Sequence, residues 1–300
     1  MNGFTKAERK KAKLRLGLTG ASGSGKTYSA LQIAKGMGGR IALIDTEHGS
    51  ASLYSNDFDF DTLELDAPYA PERFIQAIEL AERSGYDVII IDSLTHEWTG
   101  KGGCLQINDE FAKTVMKGNS YMAWSHTTPR HQALIEKISS SKCHIIATMR
   151  SKTERVQEGK KVITLGMKPE QRDGIEYEFT TFLDLFHETH QAIASKDRTG
   201  LFNPESPFLV TPEVGTALLD WLNAGVSVYI DKAQEGELLS IYSNLPESSK
   251  MALKQKHPST TPDLEIDFTG VKAANFDKAK EYMLTIIEKT KQEETTWPHF

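Results

Sequence analysis

The stretch GASGSGKT, from Gly20 to Thr27, matches GxxxxGK[ST] in full. It constrains the fold because the motif has meaning only between a strand and a helix. Both flanks comply. Residues 14–19 alternate apolar with polar or small side chains and predict a strand. From 27 to 37, Ala30, Leu31, Ile33, Ala34 and Met37 recur at helical spacing. Glycines let the backbone turn tightly, so that its N–H groups face a phosphate. The helix behind adds its positive N-terminal end. Gly20, Ser22, Gly23, Ser24, Gly25, Lys26, Thr27 and Tyr28 are therefore the candidate nucleotide-binding set, with ATP as ligand. Lys26 is expected at the β- and γ-phosphates, and the Thr27 hydroxyl on Mg2+.

Two further apolar runs end in acids. RIALID, residues 40–45, leads into Asp45-Thr46-Glu47-His48, and DVIIID, residues 87–92, ends at Asp92. Acids at the carboxyl ends of parallel strands lie where open α/β sheets bind ligands. Glu47 is placed to orient or deprotonate an attacking water, and Asp92 to bind the metal directly or through water. HIIAT, residues 144–148, reads as another buried strand, with Thr148 at its end as a candidate γ-phosphate sensor.

The order GASGSGKT, LIDTEHGSAS, VIIIDS, IIATMRSK resembles the RecA-type ATPase family, and most closely its phage-type members, which include single-strand annealing and recombination proteins. KPEQRDGIEYEFTTFLDL and ASKDRTGLF are similar to segments of those proteins. The resemblance covers about residues 14–224. It implies an α/β fold of RecA-like P-loop NTPase type, with a mainly parallel central sheet. It also implies ATP hydrolysis with Mg2+, with Lys26 and Thr27 at phosphate and metal, Glu47 as catalytic carboxylate and Asp92 as the second metal residue. Where RecA carries a glutamine near the end of the strand matching HIIAT, this chain carries Thr148-Met149.

KDRTG follows a predicted strand at 191–195 and resembles the Lys-x-Arg finger of DnaB-type helicases of the same fold. The resemblance implies that Lys196 and Arg198 reach a neighbouring subunit's γ-phosphate, which requires a homo-oligomer, ring or filament. Lys168 or Arg172 in KPEQRDG is the other candidate finger.

Net charge is −6, so contacts to nucleic acid must come from local patches. One is the basic arm at 6–15. A second is MRSKTERVQEGKKV, read as a hairpin loop, with Arg150, Lys152, Arg155, Lys160 and Lys161. A third is 119–131, read as a flexible segment, with Tyr121, Trp124, His126, Arg130 and His131 suited to stacking on single-stranded bases. Single-stranded DNA is the expected partner. The end, EETTWPHF, reads as a mobile tail. Its acids beside Trp297 and Phe300 also suit docking in a partner's basic, apolar pocket. A single-stranded-DNA-binding protein or another recombination partner is a further expected partner.

The expected organisation is a basic N-terminal arm (1–13), the ATPase domain (14–224), a small mostly helical appendix (225–290) and a flexible tail (291–300). Helices are predicted at 71–84, 129–139, 212–223, 235–242, 248–256 and 276–290, with a break at 258–262. No apolar run approaches the ~20 residues of a membrane span. The first residues lack a signal-peptide core, so a cytoplasmic protein is expected, in the host if phage-encoded. Cys104 and Cys143 show neither metal spacing nor a CxxC pattern and are expected to be reduced and structural. An ATPase acting on single-stranded DNA in recombination or annealing is the leading reading. A DnaB-like helicase motor, a small-molecule kinase and an ATP-gated scaffold with little turnover are the alternatives.

Overall fold

The computed structural model describes residues 6–158, 161–226, 229–257 and 266–296, and their side chains apart from 153–166, 274 and 291–296. Of the expected contacts, Lys160, Trp297, Phe300 and the side chains of Arg155 and Lys161 lie outside the described residues, as does the 258–262 break.

β1 (Arg15–Gly20) leads through the glycine loop into α1 (Lys26–Met37). β2 (Ile41–Asp45), β3 (Asp61–Glu64), α2 (Pro71–Arg83) and β4 (Val88–Asp92) follow, then α3 (Thr95–Thr99), α4 (Cys104–Thr114) and α5 (Ser120–Ser140). A long hairpin of β5 (His144–Glu158) and β6 (Lys161–Pro169) precedes β7 (Thr181–Leu185), β8 (Gln191–Asp197), β9 (Phe208–Leu209) and α6 (Pro212–Asn223). The sheet order is β3-β2-β4-β5-β1-β7-β8-β9, with β6 pairing β5 off this path. Pairing is parallel from β3 to β7 and antiparallel in the β5–β6, β7–β8 and β8–β9 pairs.

Every residue of β1, β2 and β4 is buried. Strand alternation explains how such runs are used. Leu16, Leu18, Leu43, Val88, Ile90 and Ile146 feed one core, with Leu31 of α1 and Leu218 of α6. Ile44, Ile89, Ile91, Ile145 and Ala147 feed another, with Phe74 and Ile78 of α2 and Leu134 and Ile138 of α5. A sheet covered on both faces needs such uninterrupted apolar strands. Each fully buried Leu, Ile or Phe contributes about 1.5–3 kcal/mol. The parallel register brings Gly20, Asp45 and Asp92 to the carboxyl ends of their strands, where the loops gather.

Two expectations about this region are corrected. The stretch 119–131 is not a flexible segment: α5 starts at Ser120, ahead of the predicted start at 129, and contains Pro129. Asn119 Oδ1 accepts from Met122 N at 3.1 Å, and this cap starts the helix. Pro129 removes one donor without stopping it. The hairpin expected around MRSKTERVQEGKKV is present, but 150–158 belongs to its strand arm, β5, paired with β6, and not to the loop.

The chain divides into a unit spanning Lys13–Leu222 and a second unit made by the residues up to Ala12 together with those from Asn223 onward. The second unit contains α7 (Lys232–Ser243), α8 (Glu247–Lys256) and α9 (Phe276–Thr296), which runs past its predicted end at 290. Leu238, Tyr242, Ile266, Phe268, Phe276 and Met283 form its core. Within this unit Lys11 N donates to Val226 O and Val226 N to Arg9 O, at 2.9 and 2.8 Å. Among the described residues no helix is long and apolar enough to cross a membrane.

Candidate nucleotide site

The loop after β1 is shaped by Gly23 and Gly25, whose φ angles of 79° and 88° lie in the left-handed region that glycine adopts without strain. Gly25 is the N-cap of α1 and offers no side-chain acceptor, so the first helical N–H groups stay available to an anion. Ser24 Oγ is buried with no hydrogen-bond partner among the described residues. Lys26 Nζ donates to Gly20 O and Ala21 O, at 3.1 and 2.8 Å, and so lies over the loop's own carbonyls. Burial lowers its pKa, against the opposing charges of Asp92 and Glu47. Unspent N–H groups, an orphaned hydroxyl and an ammonium group fit a polyphosphate. Tyr28, expected in the same set, packs its ring edge-on against Tyr54 and Phe58, at centroid distances of 5.7 and 5.4 Å.

Thr27 Oγ1 donates to Asp92 Oδ2 at 2.6 Å. Asp92 is 2% exposed, and burial raises its pKa against the hydrogen bonds from Thr148 and Thr27. A hydroxyl beside a buried carboxylate is a donor set that fits Mg2+. Thr148 does not stand at the strand end. It lies within β5, fully buried, and donates its hydroxyl to Asp92 Oδ1.

Glu47 stands in the turn after β2, which Asp45 shapes by accepting from Glu47 N at 2.6 Å. Arg150 clamps Glu47 with two bonds, Nε to Oε1 at 3.2 Å and Nη2 to Oε2 at 2.5 Å, and Ser93 Oγ donates to Oε1 at 3.2 Å. Burial pushes the Glu47 carboxyl up, but the Arg150 hydrogen bonds and charge outweigh it, and the net shift is down. Arg150, expected among the DNA contacts of the hairpin, is instead brought to Glu47 by the length of β5. The available signal was its position two residues after Thr148, which puts both on one face of a continued strand. His96 Nδ1 lies 2.7 Å from Thr46 Oγ1 beside this pair. Burial lowers the His96 pKa, with Glu47 opposing. His187, in the β7–β8 turn, stands beside the loop: its Cε1 is 3.1 Å from where a Cβ on Gly23 would stand.

The Lys196–Arg198 pair is divided. Lys196 is within β8 opposite Phe182, not in the turn beyond it. Its Nζ donates to Glu176 O and Tyr177 O at 2.8 and 2.7 Å, so it is tied down within its own chain. The strand ends at Asp197, whose carboxylate accepts from Thr199 N at 2.8 Å and turns the chain. Arg198 follows and is exposed.

The DNA-contact candidates also separate. Arg130 makes a bidentate pair with Glu72 of α2, at 2.7 and 2.8 Å, and is not presented for stacking. Trp124 stacks on Trp98 of α3, with centroids 5.5 Å apart and planes at 18°. These two rings, Tyr121, Lys152, Lys168 and Arg172 line an open cavity of 830 Å³. Tyr121 is 86% exposed.

A family model described as AAA domain matches residues 12–209. Over 81 residues the chain is 37% identical to Protein RecA of Ruminococcus albus, a stretch that makes up 25% of this chain and 20% of that protein. The chain thus spans about a fifth of the length of that curated relative. The parallel sheet, with its glycine loop between β1 and α1, is the frame such matches require. On the family match, the chain belongs to the AAA domain family, as a P-loop ATPase of RecA-like type.

Proposed function

We propose that the protein is a Mg2+-dependent ATPase that acts on single-stranded DNA, pairing or annealing strands in homologous recombination. One observation carries the coupling. β5 runs unbroken from Thr148, on Asp92, through Arg150, on Glu47, to Lys152 at the aromatic cavity. A change at the γ-phosphate that moves Glu47 is passed along this strand to the DNA contacts.

In the reaction a water oxygen bonds to the γ-phosphorus while the bond to the β–γ bridging oxygen breaks, giving ADP and inorganic phosphate. Ionised Glu47 orients the water and accepts its proton. Lys26 leaves the loop carbonyls and neutralises the β- and γ-phosphate oxygens. Thr27 and Asp92 would hold magnesium, which would supply further neutralisation of phosphate charge. Arg198 of an adjacent copy completes the site in a ring or filament. Bases stack on the Trp98–Trp124 face and Tyr121, while Lys152, Lys168 and Arg172 meet the backbone phosphates.

The test is ATPase rate with and without single-stranded DNA, beside DNA affinity at several salt concentrations. The expected result is a stimulated rate and an affinity that falls steeply with salt. Trp124→Ala is expected to weaken DNA binding by about 1–3 kcal/mol per stacked base, with basal ATPase retained. An unstimulated rate with salt-insensitive binding contradicts the reading. Strand displacement points instead to a helicase motor, phosphate transfer to a metabolite to a kinase, and partner binding without turnover to a scaffold.

A further inference from the structure

Sequence spacing around Cys104 and Cys143 suggests no metal site, yet folding gathers a compact donor set behind the aromatic cavity. Glu97 of α3, Cys104 at the start of α4 and His131 of α5 are 0%, 0% and 3% exposed. Cys104 Sγ donates to Glu97 Oε1 at 3.0 Å, and His131 Nδ1 lies 3.0 Å from the same oxygen. All three donor atoms fall within 4.8 Å of one another. Gln171, also buried, donates its Nε2 to the other Glu97 oxygen at 3.1 Å.

We infer that Glu97, Cys104 and His131 form a second metal site, for a thiophilic divalent ion of the zinc class, separate from the nucleotide site. One sulfur, one imidazole nitrogen and one carboxylate oxygen are the donor types that zinc combines, whereas magnesium takes oxygen donors. Zinc bonds of roughly 2.0–2.3 Å give tetrahedral edges of about 3.3–3.8 Å. The observed 3.0 Å separations need only a few tenths of an ångström of widening. Gln171 then holds the carboxylate from outside, as partners of metal ligands do. A buried carboxylate is costly unless compensated, and a divalent ion compensates it more fully than a thiol and an imidazole do.

The site has a structural consequence. Trp98, next to Glu97, stacks on Trp124 and meets the His131 ring edge-on, with centroids 5.4 Å apart. An ion joining α3, α4 and α5 therefore fixes the floor of the cavity assigned to DNA bases.

The test uses Co2+ as the probe, titrated into the full chain after chelator treatment, with excess Mg2+ present. The expected result is one equivalent of Co2+ giving a thiolate-to-cobalt charge-transfer band, displaced by Zn2+. The band is expected to persist in Cys143→Ser and vanish in Cys104→Ser. His131→Asn is expected to weaken binding by more than the roughly 10–100-fold that loss of an outer partner costs. Absence of any cysteine-dependent band overturns the inference and leaves a hydrogen-bonded network only. A band lost with Cys143→Ser overturns it as well. Should Cys104→Ser fail to fold, the wild type and Cys143→Ser decide, because the chain has 2 cysteines. Cobalt in the nucleotide site meets no sulfur, so this result is independent of the ATPase assignment.

Discussion

Glu47→Gln is expected to lower the rate of ATP hydrolysis by about 10²–10⁴-fold, the range for loss of a positioned general base. Mg-ATP affinity is expected to stay within a few-fold of wild type, because Glu47 is assigned to the water and not to the phosphates. The amide keeps the shape of the side chain and can still accept from Ser93, but it loses the negative charge that Arg150 clamps. Steady-state rates and equilibrium nucleotide binding, measured separately, distinguish the two effects. A variant that hydrolyses ATP normally shows that the Glu47–Arg150 pair is structural. One that loses affinity as much as rate shows that Glu47 acts on bound nucleotide, not on the transition state.

Arg198→Ala is expected to lower the rate by about 10³–10⁵-fold, the range for removal of an arginine finger. Mixing with Lys26→Ala is the discriminating form of the experiment. In a mixed oligomer some interfaces pair an intact phosphate loop with an intact finger, so activity partly returns. No recovery at any ratio contradicts a shared site. Lys196→Ala is expected to act differently. Its ammonium group caps the Glu176 and Tyr177 carbonyls, so its loss affects folding stability before hydrolysis.

The parts of the site that could be read from the sequence are those written in contiguous residues. Gly20 to Thr27 specifies its own backbone path, and the 87–92 run carries Asp92 to a strand end because buried parallel strands are continuous apolar runs. What escaped depends on partners far along the chain. Arg130 resembled a DNA contact until Glu72, 58 residues away, claimed it. Arg150 resembled a loop cation until the length of β5 carried it to Glu47 across 103 residues. The start of α5 turned on competition between the Asn119 cap and Pro129, where the cap prevailed. Glu97, Cys104 and His131 come from three helices, and no spacing rule joins them.

The proposed function rests on a triphosphate held by the loop amides and the Lys26 ammonium. Equilibrium binding of a fluorescent, non-hydrolysable ATP analogue with Mg2+, to wild type and to Lys26→Ala, tests it most directly. Saturable binding at one site per chain, weakened by at least tenfold in the variant, is the expected result. Equal affinity in the two proteins, or no binding to either, contradicts it.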